Sequence, residues 1–251
     1  MKNRLATLLL SLLVAGCVTE SSGGLPSPAP VSERVEAQVA VARGYIEVGN
    51  WARAKKALEK AVELDSRSVE AHVLYAVVYE AQEEFELAEE FYHKALRING
   101  RDSQALNNFG TYLSRRGKLD EAASFLRRAV KDTEYRARPQ AYENLGLVEL
   151  ARGDRMQAEL AFRRALTLAP GQATSALELG YLAFESGDIQ SADQYFDTFR
   201  KVSNPTARSL CLGMQLGAAH KNQDQVASMT LALHNLFPNS REAEQCQVQG
   251  R

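Results

Sequence analysis

Between residues 139 and 172 the chain reads PQAYENLGLVELARGDRMQAELAFRRALTLAPGQ, and its apolar positions fall on two helical stripes. Leu145, Val148 and Glu149 lie on neighbouring turns of a first helix, with Gly146 small enough to let a second helix approach. Gly153 ends that first helix, because glycine takes positive φ at little steric cost. Ala158, Phe162 and Ala165 form the i, i+4, i+7 stripe of the second helix, and Pro170 closes the unit because proline cannot continue it. The pattern predicts an antiparallel helix pair with too little core to stand alone. It recurs in phase from Val35, Val69, Ser103, Ala173 and Ala207. Small residues of the second helix align as Ala54, Ala88, Ala122, Ala158, Ala192 and Val226. Their partners four residues later are Leu58, Tyr92, Leu126, Phe162, Phe196 and Thr230.

Tyr142, Leu145, Gly146, Gly153, Ala158, Phe162, Ala165 and Pro170 stand at the spacing of the 34-residue tetratricopeptide pattern. The units 35–68, 69–102, 103–138, 139–172, 173–206 and 207–240 follow with almost no linker, so the expected fold is all-α. It is a right-handed superhelical solenoid of six tetratricopeptide repeats. The third unit carries two extra residues, assigned to the Tyr135–Arg138 connection. Gly49-Asn50, Asn99-Gly100, Gly117-Lys118, Gly153-Asp154 and Gly187-Asp188 read as turns. Gly213 and Thr230 replace large apolar residues, making the sixth unit degenerate. Residues 241–251, REAEQCQVQGR, are expected to form a short capping helix.

Ahead of the repeats, residues 1–16 read as an export signal, with Lys2 and Arg4 before the apolar run Leu5 to Val14. Val14-Ala15-Gly16-Cys17 resembles the lipobox of bacterial lipoproteins, which implies lipidation at Cys17; an ordinary signal with Cys17 unmodified is the alternative. Val18 after the cysteine points by the same analogy to the outer membrane, with the solenoid facing the periplasm. The rest of 17–34, rich in Ser, Gly and Pro, reads as a tether.

Charge and chemistry narrow the function. Lys plus Arg number 30 against 31 Asp plus Glu, leaving no basic excess for nucleic acid. His72, His93, His220 and His234 show no metal-ligand spacing, and His72 occupies a core-phase position where a packed histidine is expected. No phosphate loop or nucleophile elbow occurs. Glu83, Glu84, Glu86, Glu89 and Glu90 alternate with basic residues as solvated helix faces do. We therefore expect no enzyme, cofactor or metal.

A protein-binding role fits better. Resemblance to tetratricopeptide solenoids implies that first helices line a concave surface. On it, Val39, Ile46, Val73, Leu74 and Val77 would surround Arg43 as an apolar groove. Asn107, Asn108, Thr111 and Ser114 would form a polar band, and Leu147, Leu150, Leu177, Tyr181 and Phe184 a second apolar strip. These strips either receive a partner or pack against neighbouring helices. Val39 and Val73 stand where carboxylate-clamping relatives carry basic or amide groups, so an amphipathic helix is the expected ligand.

Lipobox, short tether, six repeats and a cysteine-bearing tail together resemble the type IV pilus biogenesis lipoprotein family called PilF or PilW. Asn107-Asn108-Phe109-Gly110 and Tyr142-Glu143-Asn144-Leu145-Gly146 carry the likeness in detail. The resemblance implies a pilotin, which carries a secretin subunit to the outer membrane and supports assembly of its multimeric pore. A periplasmic scaffold lipoprotein recruiting cell-wall enzymes is the alternative. With Cys17 taken by lipid, Cys211 and Cys246 remain in an oxidising compartment, at positions five and six of successive first helices. They either form a disulfide or stay separate thiols.

Overall fold

The computed structural model describes residues 29–246. The signal segment 1–16, Cys17 with residues 18–28 of the tether, and the tail beyond Cys246 lie outside the described residues. Those described form α1 (Val31–Glu47), α2 (Trp51–Leu64), α3 (Val69–Ala81), α4 (Phe85–Ile98), α5 (Ser103–Arg115), α6 (Leu119–Ala129), α7 (Arg138–Ala151), α8 (Arg155–Leu168), α9 (Ala173–Glu185), α10 (Ile189–Val202), α11 (Ala207–Ala219), α12 (Gln223–Leu236) and α13 (Arg241–Gln245). The fold is an all-α solenoid of antiparallel helix pairs.

Helix starts follow from capping. Side chains of Asn50, Ser68, Asp102, Asp154, Asp188, Thr206, Asn222 and Ser240 each accept a backbone N–H at the first turn of the helix that follows. α7 lacks such a cap and opens instead with Pro139, whose missing N–H would be unpaired there anyway. Within pairs, Gly146 lets α7 sit against α8, since a Cβ there would lie 2.5 Å from the Phe162 ring. The turn between the helices of each pair needs a left-handed residue. Gly49, Gly117, Gly153 and Gly187 supply it, but Glu83 (φ 61°) and Lys221 (φ 56°) hold the same position in the second and sixth pairs. Asn99-Gly100 belongs to a different connection, the one between α4 and α5.

The inserted residues of the third unit act over a wider stretch than Tyr135–Arg138. α6 stops at Ala129, and residues 130–137 form the connection. Asp132 holds it, accepting from Ser103 Oγ at 2.8 Å and from the Glu134 N–H at 3.0 Å. Arg138 Nε donates to the Val130 carbonyl at 2.8 Å. The Ser103 hydroxyl, with those backbone bonds, holds the Asp132 carboxyl below its ordinary pKa.

The sixth pair is less degenerate than Gly213 suggests. A Cβ at Gly213 would lie 2.9 Å from Phe196, so its glycine makes room for the ring of the preceding unit. α12, however, buries only Leu233. Leu210, Met214 and Leu233 form a small cluster on which Phe237, Ala243 and Cys246 pack. Cys211 and Cys246 are joined by a disulfide, with Cα atoms 5.8 Å apart, tying α13 to α11.

Curvature follows from which helices touch. α1 packs on α3, α3 on α5, α5 on α7, α7 on α9, α9 on α11 and α11 on α13 with their backbones close, whereas among the described residues no two even-numbered helices bring their backbones so near. The layer whose members touch is the inner one. The odd-numbered helices therefore line the concave side.

Candidate partner-binding face

The odd-numbered row is cross-linked from one helix to the next by polar side chains. Between α1 and α3, Arg43 Nε meets Glu70 Oε1 at 3.0 Å. Between α3 and α5, Arg115 grips Glu80 with two bonds, at 2.6 and 2.9 Å. Asn144 of α7 donates to Asn107 Oδ1 and Thr111 Oγ1 of α5, while Gln140 reaches Glu143 and Asn144 within α7. Glu143 in turn accepts both the backbone N–H and the hydroxyl of Ser175 on α9. Arg208 of α11 forks onto Glu178 of α9, and the Tyr181 phenol donates to the Arg208 carbonyl at 2.6 Å. The links to Asn107, Glu143 and Glu178 satisfy groups that stacking buries, whereas the Arg43–Glu70 pair is exposed.

Residues expected as an apolar groove divide under this packing. Val39, Val73 and Leu74 are only 3, 2 and 7% exposed and sit inside the core clusters. Neighbouring first helices close over them, so these three form a floor rather than a lining. Ile46 and Val77 stay half-buried, and the Arg43 side chain is exposed beside Glu70. In the second strip Leu177 is buried, Leu150, Tyr181 and Phe184 are half-buried, and Leu147 is 40% exposed. Of the polar band, Asn107 is buried and Asn108 and Thr111 are half-buried. The accessible inner face is thus apolar toward both ends and amide-lined in the middle.

Buried carboxylates are the residues that sequence reasoning passed over. Besides Glu143 and Glu178, Glu149 is 1% exposed and sits between Arg127 and Arg152, with Arg152 also meeting Asp120. Their signal was available: Glu143 and Glu178 fall where the pattern places inward-facing residues, and Glu149 on the core stripe itself. Such positions hold a charge only when it is paired. His72 is buried, with Nε2 3.0 Å from the Ser66 carbonyl. Among the described residues no three His, Cys, Asp or Glu side chains gather in a metal-holding group, and no helix is long and apolar enough to cross a membrane.

The tetratricopeptide repeat family model matches residues 40–103, 107–173 and 143–208. The type IV pilus assembly protein PilF of Pseudomonas aeruginosa is 36% identical over 242 residues, 96% of each chain. A solved structure of Pseudomonas aeruginosa pilF superposes with a TM-score of 0.83, covering 88% of this chain and 99% of that one. The crystal structure of PilW, a widely conserved type IV pilus biogenesis factor, shares the fold at a TM-score of 0.72 and 24% identity, covering 84% of this chain and 96% of that one.

Proposed function

This chain belongs to the tetratricopeptide-repeat proteins of type IV pilus biogenesis related to PilF, and we propose that it is the pilotin of such a system. In this reading Cys17 carries the lipid that anchors the chain to the outer membrane. The solenoid hangs in the periplasm and receives an amphipathic helical segment of a secretin subunit. Binding delivers that subunit to the outer membrane and favours its multimerisation.

The observation that carries the reading is the likeness to PilF over nearly the whole chain. The inner face supports it. Half-buried Ile46 and Val77 at one end, and exposed Leu147 with half-buried Leu150, Tyr181 and Phe184 at the other, offer apolar contacts to the apolar face of a helix. Repeat solenoids of this kind work by binding proteins along their concave surface.

The test is co-purification from detergent-solubilised envelopes, combined with the distribution of secretin in a strain lacking the chain. Recovery of secretin, and loss of its multimers from the outer-membrane fraction without the chain, is the expected result. Recovery of cell-wall hydrolases or synthases in place of secretin would overturn it.

A further inference from the structure

The solenoid has two long edges of unlike electrostatics. Every odd-numbered helix begins, and every even-numbered helix ends, at one edge; the tight turns within pairs lie at the other. At the tight-turn edge Arg115 pairs with Glu80, Lys118 with Glu89, Arg152 with Asp120 and Arg155 with Glu185, while the exposed Arg53, Arg116 and Lys221 are spread over three separate turns. At the opposite edge, Arg97, Arg101, Arg128, Lys131 and Arg136 are exposed, and none has a carboxylate within salt-bridge distance among the described residues.

These cations surround a cleft. Arg101, Arg128 and Lys131 line a cavity of about 550 Å³ with Gly100, Ser103 and Asp132, over the apolar side chain of Leu106. Arg128 is steadied there by donating Nη2 to the Gly100 carbonyl at 2.6 Å. The carboxylates near the cleft keep their charge but are held in place by neutral donors. Asp102 accepts the Ala105 N–H at the start of α5 and Asp132 accepts from Ser103 and Glu134, while Asp132 and Glu134 both remain exposed, so three cations face two exposed carboxylates at the cleft. The chain has no net basic excess, with 30 cations against 31 anions, so this concentration is local. α1 also begins at this edge, at Val31, so the segment leading from Cys17 joins the solenoid on the same side.

We propose that this cleft binds the phosphate of an anionic phospholipid headgroup, and that the edge carrying it lies against the leaflet from which the chain is tethered. The proposal rests on the reading of Cys17 as the lipid anchor. A single anchor fixes distance but not orientation. Unpaired Arg and Lys at one edge fix orientation, because each gains about fivefold in partition to an anionic surface, from roughly 1 kcal/mol per charge. With that edge against the lipid, the concave face stands roughly perpendicular to the membrane, open to a secretin segment.

The test uses the chain from residue 17 onward with Cys17→Ser, which cannot be acylated, in flotation with vesicles of phosphatidylglycerol and phosphatidylcholine or of phosphatidylcholine alone. Flotation with the anionic vesicles only, weakening as salt rises, is the expected result. Replacing Arg101, Arg128 and Lys131 by Gln is expected to reduce it on the order of a hundredfold. Arg101→Gln with Lys131→Gln, which keeps the Arg128–Gly100 bond, should reduce it roughly thirtyfold. Arg53→Gln with Lys221→Gln, exposed and without salt bridges among the described residues at the other edge, should leave it within about twofold. Equal flotation with neutral vesicles, no flotation, or an unchanged triple variant overturns the proposal. So does complete displacement by millimolar inorganic phosphate at matched ionic strength, which would assign the cleft to a soluble anion. Acylation of native Cys17 is read separately by mass spectrometry, so failure of the anchor and failure of the cleft are distinguishable.

Discussion

Asn144 donates its side-chain amide to Asn107 Oδ1 at 3.0 Å, across 37 positions of sequence, and so fastens α7 to α5 on the inner face. The same amide reaches Thr111 Oγ1 at 3.3 Å. Replacing Asn144 by Ala is expected to cost about 1–2 kcal/mol, from three lost bonds, one of them accepted from Gln140, and an under-satisfied, buried Asn107. Helicity should hold, because no helix depends on the pair for its start or stop. Urea unfolding followed by circular dichroism checks it; a loss below about 0.3 kcal/mol would mean that water replaces the link at no cost.

That link shows where the sequence was informative. The stripe Ala158, Phe162, Ala165 and its counterparts determine which helices form and how each pair closes, because volume and period alone decide that packing. Gly146 beneath Phe162 was legible for the same reason. Burial of Val39, Val73 and Leu74 was not. The same apolar residue at a first-helix position either faces a groove or packs on the next first helix, and only the stacking distance decides. Glu83 and Lys221 were missed because turns were sought through glycine, whereas the stacked pairs impose the left-handed turn on whatever residue stands there. Glu149 lay in plain view on the core stripe, but its two arginines come from α6 and the end of α7, which no single period brings together.

The division of the groove changes which substitutions test it. A charge at Val39 would enter the core and unfold the first pair, telling nothing about binding. Val77→Asp and Leu147→Asp change half-buried or exposed side chains and should leave unfolding midpoints nearly unchanged. Each is expected to weaken the secretin binding proposed above about tenfold or more, as loss of an apolar contact does. Pull-down with purified secretin domains reads the effect. Full binding by both variants, with loss on replacing Asn108 or Ser114, would move the site to the amide-lined middle.

Glu83 and Lys221 adopt positive φ where four other pairs use glycine. A left-handed L-residue costs roughly 1–2 kcal/mol, partly offset by the entropy that glycine loses on folding. Glu83→Gly and Lys221→Gly are each expected to stabilise by about 0.5–1 kcal/mol, additively, because the turns are far apart. Thermal unfolding of the two single variants and the double variant checks this. Destabilisation by either would show that its side chain makes a compensating contact.

The Cys211–Cys246 bridge closes 35 residues around the pair with the thinnest core. On the chain-entropy account such a loop contributes about 3–4 kcal/mol. Its effect should be local, since each unit of a solenoid touches only its neighbours. In Cys246→Ser, or under reductant, limited proteolysis is expected to advance from the carboxyl end through α13 and α12 while α1 to α6 stay protected. Two alkylatable thiols in the denatured, unreduced native protein would remove the basis of this expectation.

Alkaline pH tests the packing between neighbouring units. Burial is the main cause that pushes Tyr181 up to about 12, and it does the same to Tyr75 and Tyr135. Each exceeds its unfolded value of about 10, so the folded chain keeps protons that the unfolded chain would release. Their contribution is fully present below about pH 10 and is lost as pH rises toward 12. Tyr181 makes the clearest probe, because its phenol donates to the Arg208 carbonyl and tyrosinate has no proton to donate. Denaturant midpoints should therefore hold steady up to about pH 10 and fall beyond it. Tyr181→Phe should cost about 1 kcal/mol at neutral pH, from the lost bond, and make the alkaline decline shallower. In a spectroscopic titration of the native protein, part of the tyrosinate absorbance should appear only near unfolding. Were all nine tyrosines to ionise near pH 10 with helicity intact, solvent would have reached the α9–α11 junction, and the inner row would be looser than its hydrogen bonds imply.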